Sequence, residues 1–262
     1  MSVLLQVSDP HFGTERTPVV EALVALAAHL RPDLVVLSGD ITQRARAEQF
    51  SAARAVMDRL GAPLLALPGN HDIALFDLWS RFVQPYARYS AAFGTNLAPV
   101  FTSNDLLVIG VNTTRARRHK DGEVSSAQID TVAQQLRHAT AEQLRVVVVH
   151  QPIDVMRPQD LTNRLHNHAA AQRAWAAAGA DVVMGGHIHL PYVMPLPGLA
   201  RAMWALQAGT AVSSRVRSGV PNSVNVLRWT PATTCVAQQW DFSAAVSAFE
   251  CVASTSLAPQ RG

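Results

Sequence analysis

Short aliphatic runs that alternate with amphipathic stretches are the feature of this sequence that most constrains its fold. The runs at 3–7, 34–37 and 64–67 have the length and composition of buried strands. The stretches at 17–30 and 47–60 place apolar residues at helical spacing. This succession of strand–helix units predicts an α/β protein whose sheet is covered by helices.

The second half of the chain continues the alternation and ends in a mainly β region. Helices are predicted at 125–138 and 167–178, the first of them capped by Ser125 or Ser126. The other predicted elements are helical pieces within 75–93 that break near Pro85, a hairpin of 100–103 with 106–111, and strands at 145–149, 181–184, 200–207, 223–229 and 234–240.

Domain organisation follows from the absence of any linker or low-complexity segment in the 262 residues. Hydrophobic residues make up 48% of the chain, enough for a substantial core. We therefore predict a single domain over residues 1–250. Residues 251–262 are mostly small or polar, and we expect them to form a flexible tail.

Charge and hydropathy exclude several classes of partner. The 22 basic and 19 acidic residues give a net charge of +3, too small an excess to indicate binding to a nucleic acid polymer. The first apolar run is far too short for a signal peptide, and no stretch approaches the roughly 20 apolar residues of a membrane span. We expect a cytoplasmic protein that does not contact the membrane.

Five polar clusters each follow an apolar run, at the point where a predicted strand ends. In open α/β sheets the loops at the carboxyl ends of the strands converge on the ligand. A single histidine or aspartate at such a place is usually structural, but five clusters together indicate a site. They are Asp9-Pro10-His11, Gly39-Asp40, Gly69-Asn70-His71-Asp72, His150 and Gly185-Gly186-His187-Ile188-His189.

The side chains collected by these clusters are metal ligands by chemical type. They comprise two carboxylates, one amide oxygen and four imidazoles, which is more than one tetrahedral zinc ion requires. Such a set suits two metal ions about 3.5–4 Å apart that share one carboxylate. Ligation by nitrogen and oxygen without thiolate favours manganese, iron, zinc or cobalt. The candidate ligands are Asp9, His11, Asp40, Asn70, His150, His187 and His189.

Taken together and in this order, the clusters resemble the signature of calcineurin-like metallophosphoesterases, over about residues 5–190. The compact length and the opening Ser8-Asp9-Pro10-His11 look most like bacterial class III cyclic nucleotide phosphodiesterases. The resemblance implies a four-layer α/β/β/α sandwich with two mixed sheets flanked by helices. One departure is Gln151, because many relatives have a second histidine there.

The resemblance also implies a ligand scheme and a mechanism. One metal ion would be held by Asp9, His11, Asp40 and His189, and the other by Asp40, Asn70, His150 and His187. Hydroxide bridging the two ions would attack phosphorus in line. His71 would stabilise a phosphate oxygen or protonate the leaving alkoxide. Asp72 would orient the His71 ring or, equally well, cap a helix N-terminus.

The function predicted from these residues is hydrolysis of small phosphodiesters, with 3′,5′-cyclic nucleotides as the first candidate substrates. A broad phosphomonoesterase or a glycerophosphodiesterase is the alternative, and a non-catalytic metal-binding scaffold is a third. A nuclease would need a long basic groove. The cofactors would be two ions of manganese, iron or zinc. Some relatives are dimers, so a homodimer is one expectation for the assembly.

The roles of several basic residues stay open at this point. A solvated loop is the favoured interpretation of the basic run at 115–120, which includes Arg115, Arg117, Arg118, His119 and Lys120. An anion clamp is its alternative. No role is assigned to four further residues, which are His166, His168, Arg215 and Arg217.

Overall fold

A computed structural model describes residues 1–75, 78–118, 120–231 and 234–260. In these ranges the chain forms two six-stranded sheets and six α-helices. The strands are β1 (Ser2–Val7), β2 (Leu34–Ser38), β3 (Leu64–Leu67), β4 (Val100–Thr102), β5 (Leu106–Gly110), β6 (Leu144–Val148), β7 (Val182–Gly185), β8 (Tyr192–Pro195), β9 (Trp204–Gln207), β10 (Ser223–Thr230), β11 (Thr234–Ser243) and β12 (Ala248–Leu257). The helices are α1 (Thr17–Leu30), α2 (Ala47–Arg59), α3 (Leu78–Val83), α4 (Ala87–Phe93), α5 (Ser126–Arg137) and α6 (His168–Ala178).

Both sheets are mixed, as predicted. The first has the order β12-β11-β10-β1-β2-β3, in which β1, β2 and β3 are parallel and the other pairs are antiparallel. The second has the order β4-β5-β6-β7-β9-β8, in which β5, β6, β7 and β9 are parallel. The parallel strands therefore form one side of the first sheet and the centre of the second, and within each sheet their carboxyl ends point the same way.

Three apolar clusters show how the layers pack. One lies between the sheets and includes Leu4 and Val36 of the first sheet with Val146 of the second. A second joins the outer face of the first sheet to α1 and α2, and a third joins the second sheet to α5 and α6. Because both faces of each central strand are buried, those strands are continuously aliphatic. The four-layer α/β/β/α sandwich is confirmed.

The predicted elements agree with the structure through most of the chain. α1 begins at Thr17 with a proline in its first turn, and α5 is capped by Ser125, whose hydroxyl accepts from the Gln128 amide at 3.2 Å. The segment at 75–93 contains two short helices with the break near Pro85, although residues 76 and 77 lie outside the described ranges. No helix among the described residues is both long and apolar enough to cross a membrane.

The carboxyl-terminal part of the chain differs from the prediction. Residues 251–257, expected in a flexible tail, belong to β12, which pairs with β11 from Ala248 to Leu257. The predicted strand at 200–207 is shorter and begins at Trp204. Edge strand β8 was not predicted. Residues 261 and 262 lie outside the described ranges.

Candidate metal centre

The carboxyl ends of the central strands of the two sheets meet at one place. There the Nδ1 atom of His150 lies 2.9 Å from the carbonyl oxygen of Ser38, so a loop after β6 touches the end of β2. Gln6 donates to the carbonyl oxygen of Gly185 at 3.0 Å, which links β1 to β7. All five predicted polar clusters lie around this junction of the sheets.

Five of the candidate ligands have left-handed backbone conformations. L-residues other than glycine rarely adopt positive φ, and each such residue costs about 1–3 kcal/mol. Strain of this kind persists where the surrounding structure fixes the chain, and it is concentrated at functional sites. The residues are Asp9 (φ 50°), His11 (φ 42°), Asp40 (φ 47°), His187 (φ 73°) and His189 (φ 56°).

One group of ligands gathers around Asp9. The ligand atoms of Asp9, His11 and His189 all lie within 4.8 Å of one another. The Nε2 atoms of the two histidines are 3.1 Å apart, and the Nε2 of His189 is 3.3 Å from Asp9 Oδ1. Asp40 Oδ2 lies 3.9 Å from His11 Nε2. These four side chains form the first half of the predicted centre.

The second group gathers on the other side of Asp40. Asp40, His150 and His187 also have ligand atoms within 4.8 Å of one another. The Nε2 of His150 lies 3.2 Å from Asp40 Oδ1 and 3.2 Å from the amide oxygen of Asn70. Asp40 is thus the residue common to both groups, as the ligand scheme requires.

Backbone amides hold the two carboxylates in place. The Oδ1 atom of Asp40 accepts from the amide of His71 at 2.8 Å. The carboxylate of Asp9 accepts from the amide of His187 at 3.1 and 3.0 Å, and from the Ser8 hydroxyl at 2.6 Å. Both carboxylates are therefore positioned by the chain itself before any ligand binds.

The electrostatics of the metal-free centre follow from burial and close pairing. Burial lowers the pKa of His11 to about 3 and, with the help of the neighbouring His150, that of His187 to about 4. Burial raises the pKa of Asp40, but His150 holds it well below the usual value. Burial alone would lower the pKa of His150, but Asp40 raises it to about 9. The centre is thus anionic at Asp40, with two imidazoles already neutral.

An unpaired nitrogen atom supports the fit of these residues to metal ions. The Nδ1 atom of His187 is buried and has no hydrogen-bond partner among the described residues. Buried polar atoms are otherwise almost always paired. In His150 the Nδ1 atom contacts the Ser38 carbonyl oxygen and carries a proton. Its Nε2 faces Asp40 Oδ1 and the Asn70 amide oxygen, and it can bind a cation once it releases the proton that the raised pKa keeps there.

His71 lies at the same centre, but Asp72 does not orient it. The Nδ1 of His71 is 3.0 Å from the carbonyl oxygen of Gln43, and the ring contacts His11 edge-on at 4.9 Å between centroids. Asp72 is the third residue of the 3-10 turn Asn70–Asp72 and not its N-cap, but its side chain does cap the start of the turn by accepting from the Gly69 amide. Its buried carboxylate accepts, at 2.8–3.0 Å, from the backbone amides of Gly69, Ile41 and Thr42. Asp72 holds together the loops that carry the ligands.

Arg215 is a residue of the site to which the sequence assigned no role. Its Nη1 donates to Gln43 Oε1 at 2.8 Å and to His71 Nε2 at 3.3 Å. None of the described residues forms an ion pair with it. By contrast Arg217, two residues on, pairs with Asp160 at 3.1 Å and donates to the Ile188 carbonyl. Arg217 is structural, whereas Arg215 presents a half-buried cation beside the centre.

Two arginines of the basic run at 115–120 are held by contacts with nearby residues of the chain. Arg118 pairs with Glu123 at 2.8 Å, and Arg115 donates to Gln128 Oε1 at 2.7 Å. Arg117 and Lys120 are exposed, and His119 lies outside the described ranges. These contacts favour the loop interpretation over an anion clamp.

Three other residues from the sequence prediction contact neighbouring residues or are exposed. Gln151 is fully buried, accepts from the Thr113 hydroxyl at 2.6 Å and donates to the Lys120 carbonyl at 3.2 Å. His166 is exposed, and the Nδ1 of His168 lies 2.9 Å from the Leu165 carbonyl oxygen.

Fold and site together define a two-sheet α/β protein with a cluster of candidate metal ligands where the sheets meet. The model of the calcineurin-like phosphoesterase family matches residues 2–191. The chain belongs to this family, which confirms the resemblance.

Known relatives bear names of two kinds of phosphodiesterase. The chain is 25% identical over 204 residues to a cAMP/cGMP dual specificity phosphodiesterase of Mycobacterium tuberculosis, covering 71% of this chain and 61% of the relative. It is 39% identical over 83 residues to a glycerophosphodiester phosphodiesterase of Enterobacter lignolyticus, covering 27% and 29%. The chain thus spans less than two-thirds of the length of these curated relatives.

Among solved structures the fold is similar to that of a dimetal phosphatase from Danio rerio. The TM-score is 0.69 at 13% identity, and the match covers 99% of both chains. At this identity the likeness shows the shared fold.

Proposed function

We propose that this protein hydrolyses small phosphodiesters at a centre of two metal ions held by the predicted ligands. The observation that carries the proposal is the meeting of two ligand groups at Asp40, each with its ligand atoms within 4.8 Å. Asp9, His11, Asp40 and His189 would hold one ion. Asp40, Asn70, His150 and His187 would hold the other. The nitrogen and oxygen donors suit manganese, iron or zinc.

The chemistry of such ions, when bound, is activation of water and neutralisation of phosphate oxygens. The chain's own residues would position the substrate. Arg215 presents donors beside the centre that match phosphate oxygens. His71 directs Nε2 toward the same place, since its Nδ1 is held by Gln43, and would stabilise an oxygen or protonate the leaving alkoxide.

His71 is assigned to the substrate and not to a metal ion, although its ring nitrogen also lies within 4.8 Å of ligand atoms of His11 and Asp40. The distinction rests on the count of ligands, because the two groups are complete without it. Arg215 at 3.3 Å from Nε2 also disfavours a cation on that nitrogen. Metal content of His71 variants tests this assignment.

The names of the relatives support a diester as substrate, with 3′,5′-cyclic nucleotides and glycerophosphodiesters as the two candidate classes. The test is turnover of manganese-loaded protein on bis-p-nitrophenyl phosphate, p-nitrophenyl phosphate, 3′,5′-cyclic AMP and glycerophosphocholine. Preference for the first over the second supports a phosphodiesterase, and the last two compounds separate the classes. A marked preference for the monoester would move the assignment to a phosphomonoesterase, and bound metal without turnover on the panel would favour a scaffold.

A further inference from the structure

A cavity of ≈ 490 Å³ opens beside the metal centre and is unusually rich in arginine. Asn70 and His71 form part of its wall, so the cavity and the centre share two residues. Among the lining residues that the structure describes there is no carboxylate. Four guanidinium groups line it, those of Arg44, Arg46, Arg81 and Arg88.

Among these four arginines, Arg81 gives the strongest evidence that the cavity binds an anion. It lies on α3 and is only 7% exposed, and its Nη1 donates to the Ala74 carbonyl oxygen at 3.3 Å. No described residue forms an ion pair with it. A buried charge without a counter-ion is costly to stability, because the group loses its hydration without an electrostatic gain. A buried arginine that has no ion-pair partner among the described residues, and that lines a cavity, is a candidate for binding an anion.

The other arginines approach the cavity from separate elements. Arg88 is on α4, and its Nη1 donates to the Ala45 carbonyl oxygen at 3.2 Å. Arg46 lies at the rim just before α2, with its side chain 62% exposed and 3.9 Å from Glu48. Guanidinium forks from different directions suit a group with several anionic oxygens, and phosphate is the group that they match best.

We propose that this cavity binds a second phosphate group of the substrate. The inference rests on the proposed function and narrows its substrate class to phosphodiesters that carry an additional phosphoryl group. A diester at the metal centre would reach the cavity past Asn70 and His71, the residues common to both. Arg81 would bind the second phosphate at depth, and Arg46 would neutralise it at the rim.

The test compares two substrates that differ in one group, thymidine 5′-(p-nitrophenyl phosphate) and the same compound with a 3′-phosphate. We expect kcat/KM to be at least tenfold higher for the 3′-phosphorylated compound, chiefly through a lower KM. Hydrolysis of either compound tests the proposed function. The ratio of the two kcat/KM values tests whether the cavity binds a second phosphate. Equal kcat/KM values in the wild type would overturn the inference and leave the phosphodiesterase proposal intact.

Variants of the cavity arginines test whether the cavity causes the preference for the 3′-phosphorylated compound. Arg81→Met removes the charge and keeps most of the volume, so the ratio should fall to about one while the melting temperature does not fall. A structural arginine would give the opposite pattern, with lower stability and an unchanged ratio. Arg46→Ala, at an exposed position, should lower the ratio two- to fivefold without a folding defect. Arg54→Ala is the matched control, since Arg54 is an exposed arginine of α2 outside the cavity.

Binding to the metal-free protein gives a readout that does not depend on turnover. Thymidine 3′,5′-bisphosphate should bind at least tenfold more tightly than thymidine 5′-monophosphate in calorimetry, and Arg81→Met should remove the difference. A ratio of affinities that Arg81→Met and Arg46→Ala leave unchanged would overturn the proposal.

Discussion

Replacing Arg215 by alanine tests the claim that this cation binds the substrate phosphate. Its two contacts in the protein are single hydrogen bonds to Gln43 and His71, so their loss should cost only about 0.5–1.5 kcal/mol each in stability. A hydrogen bond from a charged donor to phosphate contributes about 1.5–3 kcal/mol. Since 1.4 kcal/mol corresponds to a factor of ten, we expect kcat/KM to fall by about 10- to 150-fold.

The assay is steady-state hydrolysis of bis-p-nitrophenyl phosphate, with metal content measured on the same samples. Arg215→Ala should retain both metal ions, and Arg215→Lys should recover only part of the loss, because lysine restores the charge but not the planar fork. Arg228→Ala is the control, because Arg228 pairs in register with Val3 at the opposite end of β1 from the centre. A change of less than twofold, or an equal loss of metal in Arg215→Ala, would refute the reasoning.

Three further predictions concern the metal centre. Asn70→Ala should lower metal occupancy at one of two sites, whereas His71→Ala should keep both ions and lower kcat by roughly 10²–10⁴; equal metal loss in both variants, measured by elemental analysis, would contradict the role of His71. Gly69→Ala should remove both ions, because the added Cβ would collide with the backbone nitrogen and the carboxylate of Asp40. Full metal content in a folded variant would count against Asp40 as the shared ligand. Manganese affinity should rise about tenfold per pH unit between pH 6 and 8, because a raised pKa of about 9 keeps His150 protonated in the metal-free protein and the proton must leave before Nε2 can bind metal. Calorimetry across this range checks the slope, and a pH-independent affinity would disprove it.

The residues of the candidate metal centre could be identified from sequence because each lies where a predicted strand ends. A residue such as Asp40 or His150 directly follows a buried aliphatic strand, and the carboxyl ends of parallel strands meet wherever the sheet forms. The helices beside those strands were also predicted well, since their apolar spacing reflects burial of one face. The layer order came from the resemblance, because apolar patterns do not specify which strands pair.

Other features depend on chain paths that the sequence pattern does not encode. Arg215 lies in the fifteen-residue loop between β9 and β10, and the sequence of such a long loop does not show where its side chains point. Arg81 has helical neighbours and no pattern that marks its burial. β12 was missed because residues 250–256 are exposed on both faces of an edge strand, so no alternation of apolar and polar residues marks it.

The central claim is that Asp40 is shared by two metal ions, and a manganese-loaded crystal tests it most directly. Anomalous scattering at the manganese edge should show two peaks per chain, about 3.5–4 Å apart, on the two sides of the Asp40 carboxylate. One peak should lie against His11 and His189, and the other against His150 and His187. A single peak, or two peaks that do not share Asp40, would contradict the account.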